Sequence, residues 1–486
     1  MEQFSAIVND IDGLIWSMPL VFLCLGAGLY LSIRLGFPQI RHFGEMIRLL
    51  SPNSGDKAHR GISSFQAFAT TVGARVGMGN IAGIASAIYF GGPGSIFWMW
   101  IIALIGAASA FTESTLGQAF KIKGADGHYV GGPAHYIEKG LKCKPYAIVF
   151  AIVAVLGPGL LMPGVQINSL VIVFEEAFSV NRVLVGVICC IFLAVVVAGG
   201  VKRIAQIAVL LTPFMCIIYI ALAVIILVIN FTQIPTALAL IVTSAIGVQP
   251  VFGAIVGSAI SWGVKRGIYS NEAGMGCGAI VSAAVDCSHP AKQGLIQACS
   301  IYADTLLVGT ATALIVILTG TYDVVDGAGV LLLDQTSNMV AGGIENGIKW
   351  TQYALMTTYG DWCGKLLAVI IVLFVFTSMT GYCYQAEANM SYLTRGSKAA
   401  IWVCRGLFVL ASLFGALVEA DAIWAMGDIG YGLLAWANIV AICLLAPKAK
   451  AMLDDYVQQK KEGKDPQFDP AKFGIEDETG AWSHIG

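Results

Sequence analysis

The chain is a succession of apolar runs of about 20 residues, the length a helix needs to cross a bilayer, joined by short loops holding most of the charge. Eleven runs are counted: 14–34, 64–90, 95–120, 145–173, 183–200, 204–231, 251–285 (interrupted), 293–320, 363–394, 399–418 and 424–446. The residues are 57% hydrophobic and 12% charged, against about 25% charged in soluble domains, and mean hydropathy is +0.77. Soluble enzymes, disordered chains and disulfide-rich secreted modules are excluded. A net charge of -2 gives no electrostatic case for nucleic acid. The reading is an all-α polytopic membrane protein of about eleven transmembrane helices whose first partner is the lipid bilayer.

Basic residues orient it. Arg34, Arg41, Arg48, Lys57 and Arg60 follow the first run and mark a cytoplasmic loop. Lys121, Lys123, Lys139, Lys142, Lys144, Lys202, Arg203, Lys292, Arg395 and Lys398 fall on the same side, whereas 91–94, 174–182 and 231–250 read as outer loops almost without basic residues. The N-terminus is expected outside, with the first run a retained span. The C-terminus is expected inside, where Lys448, Lys450, Lys460 and Lys461 open the tail. Lys365 is an exception that can snorkel. Lys265 and Arg266 are two more, and suggest a polar, water-filled end to the seventh run. Segment 322–350 reads as an outer loop with room for a surface helix, and 454–486 as a partly disordered cytoplasmic tail.

The twelve cysteines lie mostly in apolar runs, as packing residues. His42, His59, His128, His135, His289 and His484 are in or near loops and read as solvated or interfacial. No CxxC, HExxH or P-loop occurs, so no zinc site, redox centre or ATP-driven pump is indicated.

Two runs are broken by glycine. Thr70–Gly83 reads TTVGARVGMGNIAG and Arg266–Gly278 reads RGIYSNEAGMGCG, both containing Gly-Met-Gly. Five spans separate their starts, so each opens a five-helix unit and the odd number inverts one unit against the other. Breaks at matching positions of inverted halves mark a midplane binding site, because unwound backbone must face protein, substrate or ions. Glycines in membrane helices more often serve close packing. Here Thr70, Thr71, Arg75, Asn80, Ser270, Asn271 and Glu272 accompany the breaks, and intramembrane polar residues favour binding. Gly77–Ala82 also fits a loose dinucleotide fingerprint, but strand context and an acidic residue at ribose distance are lacking.

With these residues in view, the chain resembles the alanine/glycine:cation symporters of the amino acid–polyamine–cation superfamily. The likeness rests on Phe65–Gly83, Gly91–Trp100, Gly131–Gly140 and Arg266–Gly276, with Gln293-Gly294 and Asp304-Thr305. It implies a leucine-transporter-like 5+5 inverted repeat with one extra N-terminal helix: 1–62 the extra helix and loop, 63–231 the first repeat, 232–447 the second, 448–486 the tail. It also implies uptake of a small neutral amino acid such as alanine or glycine, coupled to Na+ or H+, at a bacterial or archaeal plasma membrane, with no cofactor besides the co-transported ion.

By resemblance, Met78, Gly79 and Asn80 hold the substrate carboxylate at a half-helix N-terminus, a geometry for which the leucine transporter is the standard example. Backbone near Ser270, Asn271 and Gly274, with the Gln166 side chain, holds the ammonium. Gln166 serves equally as an interhelical hydrogen bond. Thr70, Thr71 and Tyr382 complete the pocket; Tyr382 stands where many members carry tryptophan, which leaves side-chain preference open among alanine, glycine, D-alanine, serine and glutamine. The implied Na+ ligands are the carbonyls of Gly73, Val76 and Phe374 and the hydroxyls of Thr377 and Ser378, although such hydroxyls often bond back to their own helix. Arg75 is open to Glu272, to Glu387 or to gating. Glu113 and Glu387 read as structural pairs, and Asp304 as a candidate in coupling. An ion channel is the alternative from another class, but no pore-ring motif supports it. A membrane enzyme lacks a catalytic constellation.

Overall fold

A computed structural model describes residues 2–51, 62–124, 127–249, 251–340 and 342–482, without the side chains of Glu2 and 200–212. The loop residues Lys57, His59 and Arg60, the side chains of Lys202 and Arg203, and His484 therefore lie outside what is described.

The first half comprises α1 (Glu2–Ile15), α2 (Met18–Leu35), α3 (Pro38–Arg41), α4 (Phe43–Leu49), α5 (Ser64–Arg75), α6 (Met78–Gly91), α7 (Gly94–Ala119), α8 (Pro133–Gly140), α9 (Lys144–Leu156), α10 (Pro163–Phe178), α11 (Arg182–Ala198) and α12 (Gly200–Ile229). The second comprises α13 (Ile234–Ala245), α14 (Val256–Asn271), α15 (Cys277–Ala283), α16 (Pro290–Ile301), α17 (Thr310–Thr319), α18 (Ile348–Tyr359), α19 (Asp361–Thr394), α20 (Lys398–Gly415) and α21 (Ala420–Lys461). Single wide turns, Gly157–Leu161 and Tyr302–Gly309, join α9 to α10 and α16 to α17.

Among the described residues seven helices are long and apolar enough to span a bilayer, or eight if the pair Pro213–Ile229 and Ile234–Ala245, bent by 103°, counts as one. The halves of the two broken runs are too short to pass singly. Both breaks fall where the glycines foretold, between α5 and α6 and between α14 and α15. Their residues are almost wholly buried, and α7 packs along α14, α15 and α16 behind them.

Several expectations are corrected. The segment 231–250, read as an outer loop, contains the apolar helix α13. Helix α21 runs through Pro447 to Lys461, past the expected boundary at 447. Segment 322–350 holds a two-stranded hairpin, Val324–Val325 with Leu331–Leu333. Lys265 and Arg266 do not line a watery region; both are buried in ion pairs. His135 and His289 are buried, and His289 caps α16 by accepting from the Ala291 amide at 3.1 Å. The tail is folded onto the bundle through Trp482.

Candidate functional site

The first break forms because α5 stops at Arg75 and α6 restarts at Met78 over Gly77. A Cβ at Gly77 would collide with the Ser378 hydroxyl of α19, so only glycine lets α19 approach this closely. A Cβ at Gly79 would come within 2.9 Å of the Tyr269 ring and 3.3 Å of the Ser270 Cα, which puts the start of α6 directly against the end of α14. The amide of Met78 donates to Gln166 Oε1 at 3.4 Å, a long bond that leaves the positive end of α6 weakly used.

The second break is wider. Glu272 is left-handed (φ 53°), as are Gly274 (φ 85°) and Gly276 (φ 87°). Its freed backbone groups find partners: the Asn271 side-chain oxygen accepts from the Ala273 amide at 2.9 Å, Asn438 donates to the Gly274 carbonyl at 2.9 Å, and the Gly276 amide donates to Glu113 Oε2 at 2.9 Å. Asn438 also donates to Glu113 at 3.0 Å and accepts from Tyr136. Glu113 and Asn438 thus do for this backbone what water would do in solution. The Gly274 carbonyl, assigned to the ammonium region, is occupied in this way.

Two polar clusters flank the meeting point. In one, Asp304 on the wide turn accepts from Asn80 Nδ2 at 2.5 Å, from Ser270 Oγ at 2.8 Å and from Thr305 Oγ1 at 2.8 Å. Ser270 also meets Asn80 Oδ1, and lies 3.0 Å from the Thr305 hydroxyl. All four residues are fully buried. In the other, Gln166 donates to the Tyr382 hydroxyl at 3.2 Å, Tyr382 and Tyr431 share a 2.6 Å hydrogen bond, and Tyr431 donates to Glu272 at 3.4 Å. The Tyr269 ring covers Tyr431 at 4.1 Å and Trp424 at 5.3 Å.

The sodium set is partly assembled. Ser378 Oγ reaches the Gly73 carbonyl at 3.4 Å. The Thr377 hydroxyl instead bonds back to the carbonyls of Leu373 and Phe374 at 3.0 Å each. Thr70 and Thr71 are buried with hydroxyls that have no hydrogen-bond partner, and neither is hydrogen-bonded into either cluster. Among the described residues Arg75 hydrogen-bonds to neither expected partner, although its charge acts on Glu272 as it does on Glu113. It donates to Ser300 Oγ at 2.5 Å and points its Nη2 toward Gly278, where Glu113 also converges, while Glu387 is held bidentately by Arg405 at 2.7 and 2.8 Å.

A model of the sodium:alanine symporter family matches residues 1–470. The chain belongs to that family. A relative in Bacillus sp. (strain PS3), a sodium/proton-dependent alanine carrier protein, is 42% identical over 438 residues, 88% of this chain and 95% of that one. Another, in Bacillus subtilis (strain 168), is named "Probable sodium/glutamine symporter GlnT" and is 41% identical over 468 residues, 96% of this chain and 93% of that one. Among solved structures, that of MhsT in complex with L-phenylalanine superposes with a TM-score of 0.56 at 15% identity, covering 82% of this chain and 99% of that one. Its likeness shows the leucine-transporter-like fold, and this member of the symporter family is a multi-pass membrane transporter rather than an enzyme.

Sequence reasoning undervalued Asp304, Glu113 and Glu272, each of which it had noted as an acidic residue in an apolar run. It passed over Asn438 and Asp428, although an Asp inside an apolar run was itself a signal.

Proposed function

We propose that the protein couples Na+ entry to uptake of a small neutral amino acid such as alanine or glycine, alternately exposing one site to each side. The observation that carries this reading is the abutment of two helix breaks: the N-terminal end of α6, able to attract a carboxylate, meets the unwound chain after α14, able to receive an ammonium. Met78 and Gly79 serve the carboxylate, and Gln166, expected with the ammonium, joins that side in this reading because its side-chain oxygen accepts from the Met78 amide. Tyr382 and Tyr431 close the space around the substrate side chain, which favours a small one.

Cations take two places in this reading. Ser378 with the carbonyls of Gly73, Val76 and Phe374 offers hard oxygens without formal charge, and Thr377 joins by rotating off its own helix. Asp304 gathers Asn80 and Ser270 from the two broken helices and its own neighbour Thr305. Asn80 accordingly serves a cation, and touches substrate through it. The α1 end of the bundle faces outward and the tail end faces the cytoplasm of a bacterium or archaeon.

The test is uptake of labelled alanine into proteoliposomes with and without an inward Na+ gradient. Gradient-dependent accumulation is expected; none, with any small amino acid, would overturn the reading. A second reading, glutamine as substrate, is favoured by the hydroxyl chain Tyr382–Tyr431–Glu272, which offers partners to a side-chain amide. Competition of unlabelled glutamine with alanine decides between them.

A further inference from the structure

Chain termini are usually loose unless something ties them down, and here the C-terminal segment is tied at several points. Ser288, in the loop entering α16, donates to the Pro466 carbonyl at 2.7 Å and accepts from the Phe468 amide at 2.9 Å. The Phe468 ring is buried between Phe473 and Trp482. Asp477 accepts from the amides of Ala481 and Trp482 at 2.7 and 2.8 Å, folding the last turn so that the indole faces inward.

What Trp482 touches matters most. The Lys121 ammonium, at the end of α7, sits between two rings, 4.1 Å from the Trp482 centroid and 4.2 Å from that of Tyr129. The same ammonium donates to the Val285 carbonyl at 3.1 Å. Val285 follows α15 and pairs as a parallel bridge with Ile62, just before α5. Ile62 is gripped on both sides: its amide donates to Ala284 and its carbonyl accepts from Asp286. An unbroken chain of contacts therefore runs from the C-terminal indole to the tail-end halves of both broken helices.

We propose that residues 462–482 form a strap that holds those two half-helices, α5 and α15, together, so that parting them at the tail end requires Trp482 to release Lys121. The strap rests on the transport reading, because only a transporter needs that end to open. It is a conformational device of the kind in which a docked segment biases a two-state gate.

Hydrogen exchange of the full-length protein in nanodiscs tests it directly. Trp482→Ala should speed amide exchange in Ile62–Arg75 roughly fivefold to thirtyfold, as loss of a desolvated cation–π contact does. Exchange in Val256–Asn271, at the far end, should not change. Trp482→Phe, which keeps a ring over the lysine, should largely restore the slow rate, and a chain ending at Lys461 should behave as Trp482→Ala or more strongly. Unchanged exchange in Trp482→Ala, or acceleration spread evenly over both segments, would overturn the strap. If the shortened chain does not fold, the two single variants decide. A failure of wild-type protein to accumulate any amino acid would instead count against the transport reading and leave the exchange result standing.

Discussion

Arg266 grips both carboxylate oxygens of Asp428, at 2.6 and 3.0 Å, one helical turn before Ser270 reaches the Asp304 cluster. The guanidinium lies over the rings of Trp262, Tyr269 and Trp424, with its carbon 5.0, 5.4 and 4.9 Å from their centroids. Lys265 adds bonds to Asp12 of α1 and to Asp428, at 2.6 and 2.8 Å. Four charges thus join α1, α14 and α21 at the end of the bundle away from the tail, and Trp16 seals the joint by donating to the Asp428 carbonyl at 2.8 Å.

Removing one partner of a pair this deeply buried leaves a charge with no water to replace it, at a cost of about 3–5 kcal/mol. Asp428→Asn should lower the thermal midpoint in detergent markedly. Arg266→Met combined with Asp428→Leu should recover most of the loss, because well-packed apolar residues replace a buried pair at little cost. Equal destabilisation in the single and double variants would refute this account.

Glu45 makes a contrasting ion cluster, between α4 and the end of α21. Burial alone would raise its pKa, but hydrogen bonds from Arg48, Lys460 and Tyr456 outweigh burial and hold it down to about 2. A depressed carboxylate contributes stability above its ordinary pKa, 4.5 here, and loses it as pH falls through the folded value. Glu45→Gln should therefore cost a little at pH 7, under about 1 kcal/mol for a half-buried group whose charged partners are solvent-screened. The gap from wild type in thermal midpoint should close between pH 4.5 and 2; a gap constant with pH would mean that the side chain only packs.

The fold was legible because its signals are local. An apolar run of span length and a glycine-interrupted run can each be read without knowing what they touch. The site was legible only where backbone chemistry defines it. Gly276 shows the limit: its left-handed φ of 87° follows from the break, but the Pro133 ring that would collide with a Cβ there lies across the bundle, outside any local pattern. The same holds for Asp304, whose meaning comes from Asn80 and Ser270, 224 and 34 residues away. Arg75 was open to Glu272, to Glu387 or to gating because charge complementarity is all a sequence offers; in the fold it hydrogen-bonds a serine hydroxyl while its charge acts on Glu113 and Glu272, and Glu387 goes to Arg405. The tail was read as loose because its composition is polar, and composition does not reveal a lysine waiting between two rings.

Asp304→Asn keeps the shape of the side chain and removes its charge. If the carboxylate serves a cation, the Na+ concentration giving half-maximal uptake should rise at least tenfold, while the alanine concentration giving half-maximal uptake at saturating Na+ moves little, since about 1.4 kcal/mol of lost ion affinity is a factor of ten. Asn80→Ala should shift the Na+ dependence in the same direction. An Asp304→Asn protein with normal Na+ dependence and altered alanine affinity would return the cluster to the substrate.

Ser378 and Thr377 adjoin in sequence but use their hydroxyls differently, and that difference is testable. Ser378 bridges between helices to the Gly73 carbonyl, whereas Thr377 is satisfied by its own helix. Turning the Thr377 hydroxyl off its helix toward an ion gives up a short donation shared between two carbonyls; recruiting Ser378 disturbs only one long bond. Ser378→Ala should therefore raise the Na+ requirement more than Thr377→Ala, by several-fold to tenfold if it removes about 1–1.5 kcal/mol of ion contact, and the double variant should exceed both. Na+ titrations of uptake in the three variants check the order. Thr377→Ala equal to or worse than Ser378→Ala would mean that the threonine leaves its helix at no cost, and unchanged Na+ dependence in the double variant would remove this ion site altogether.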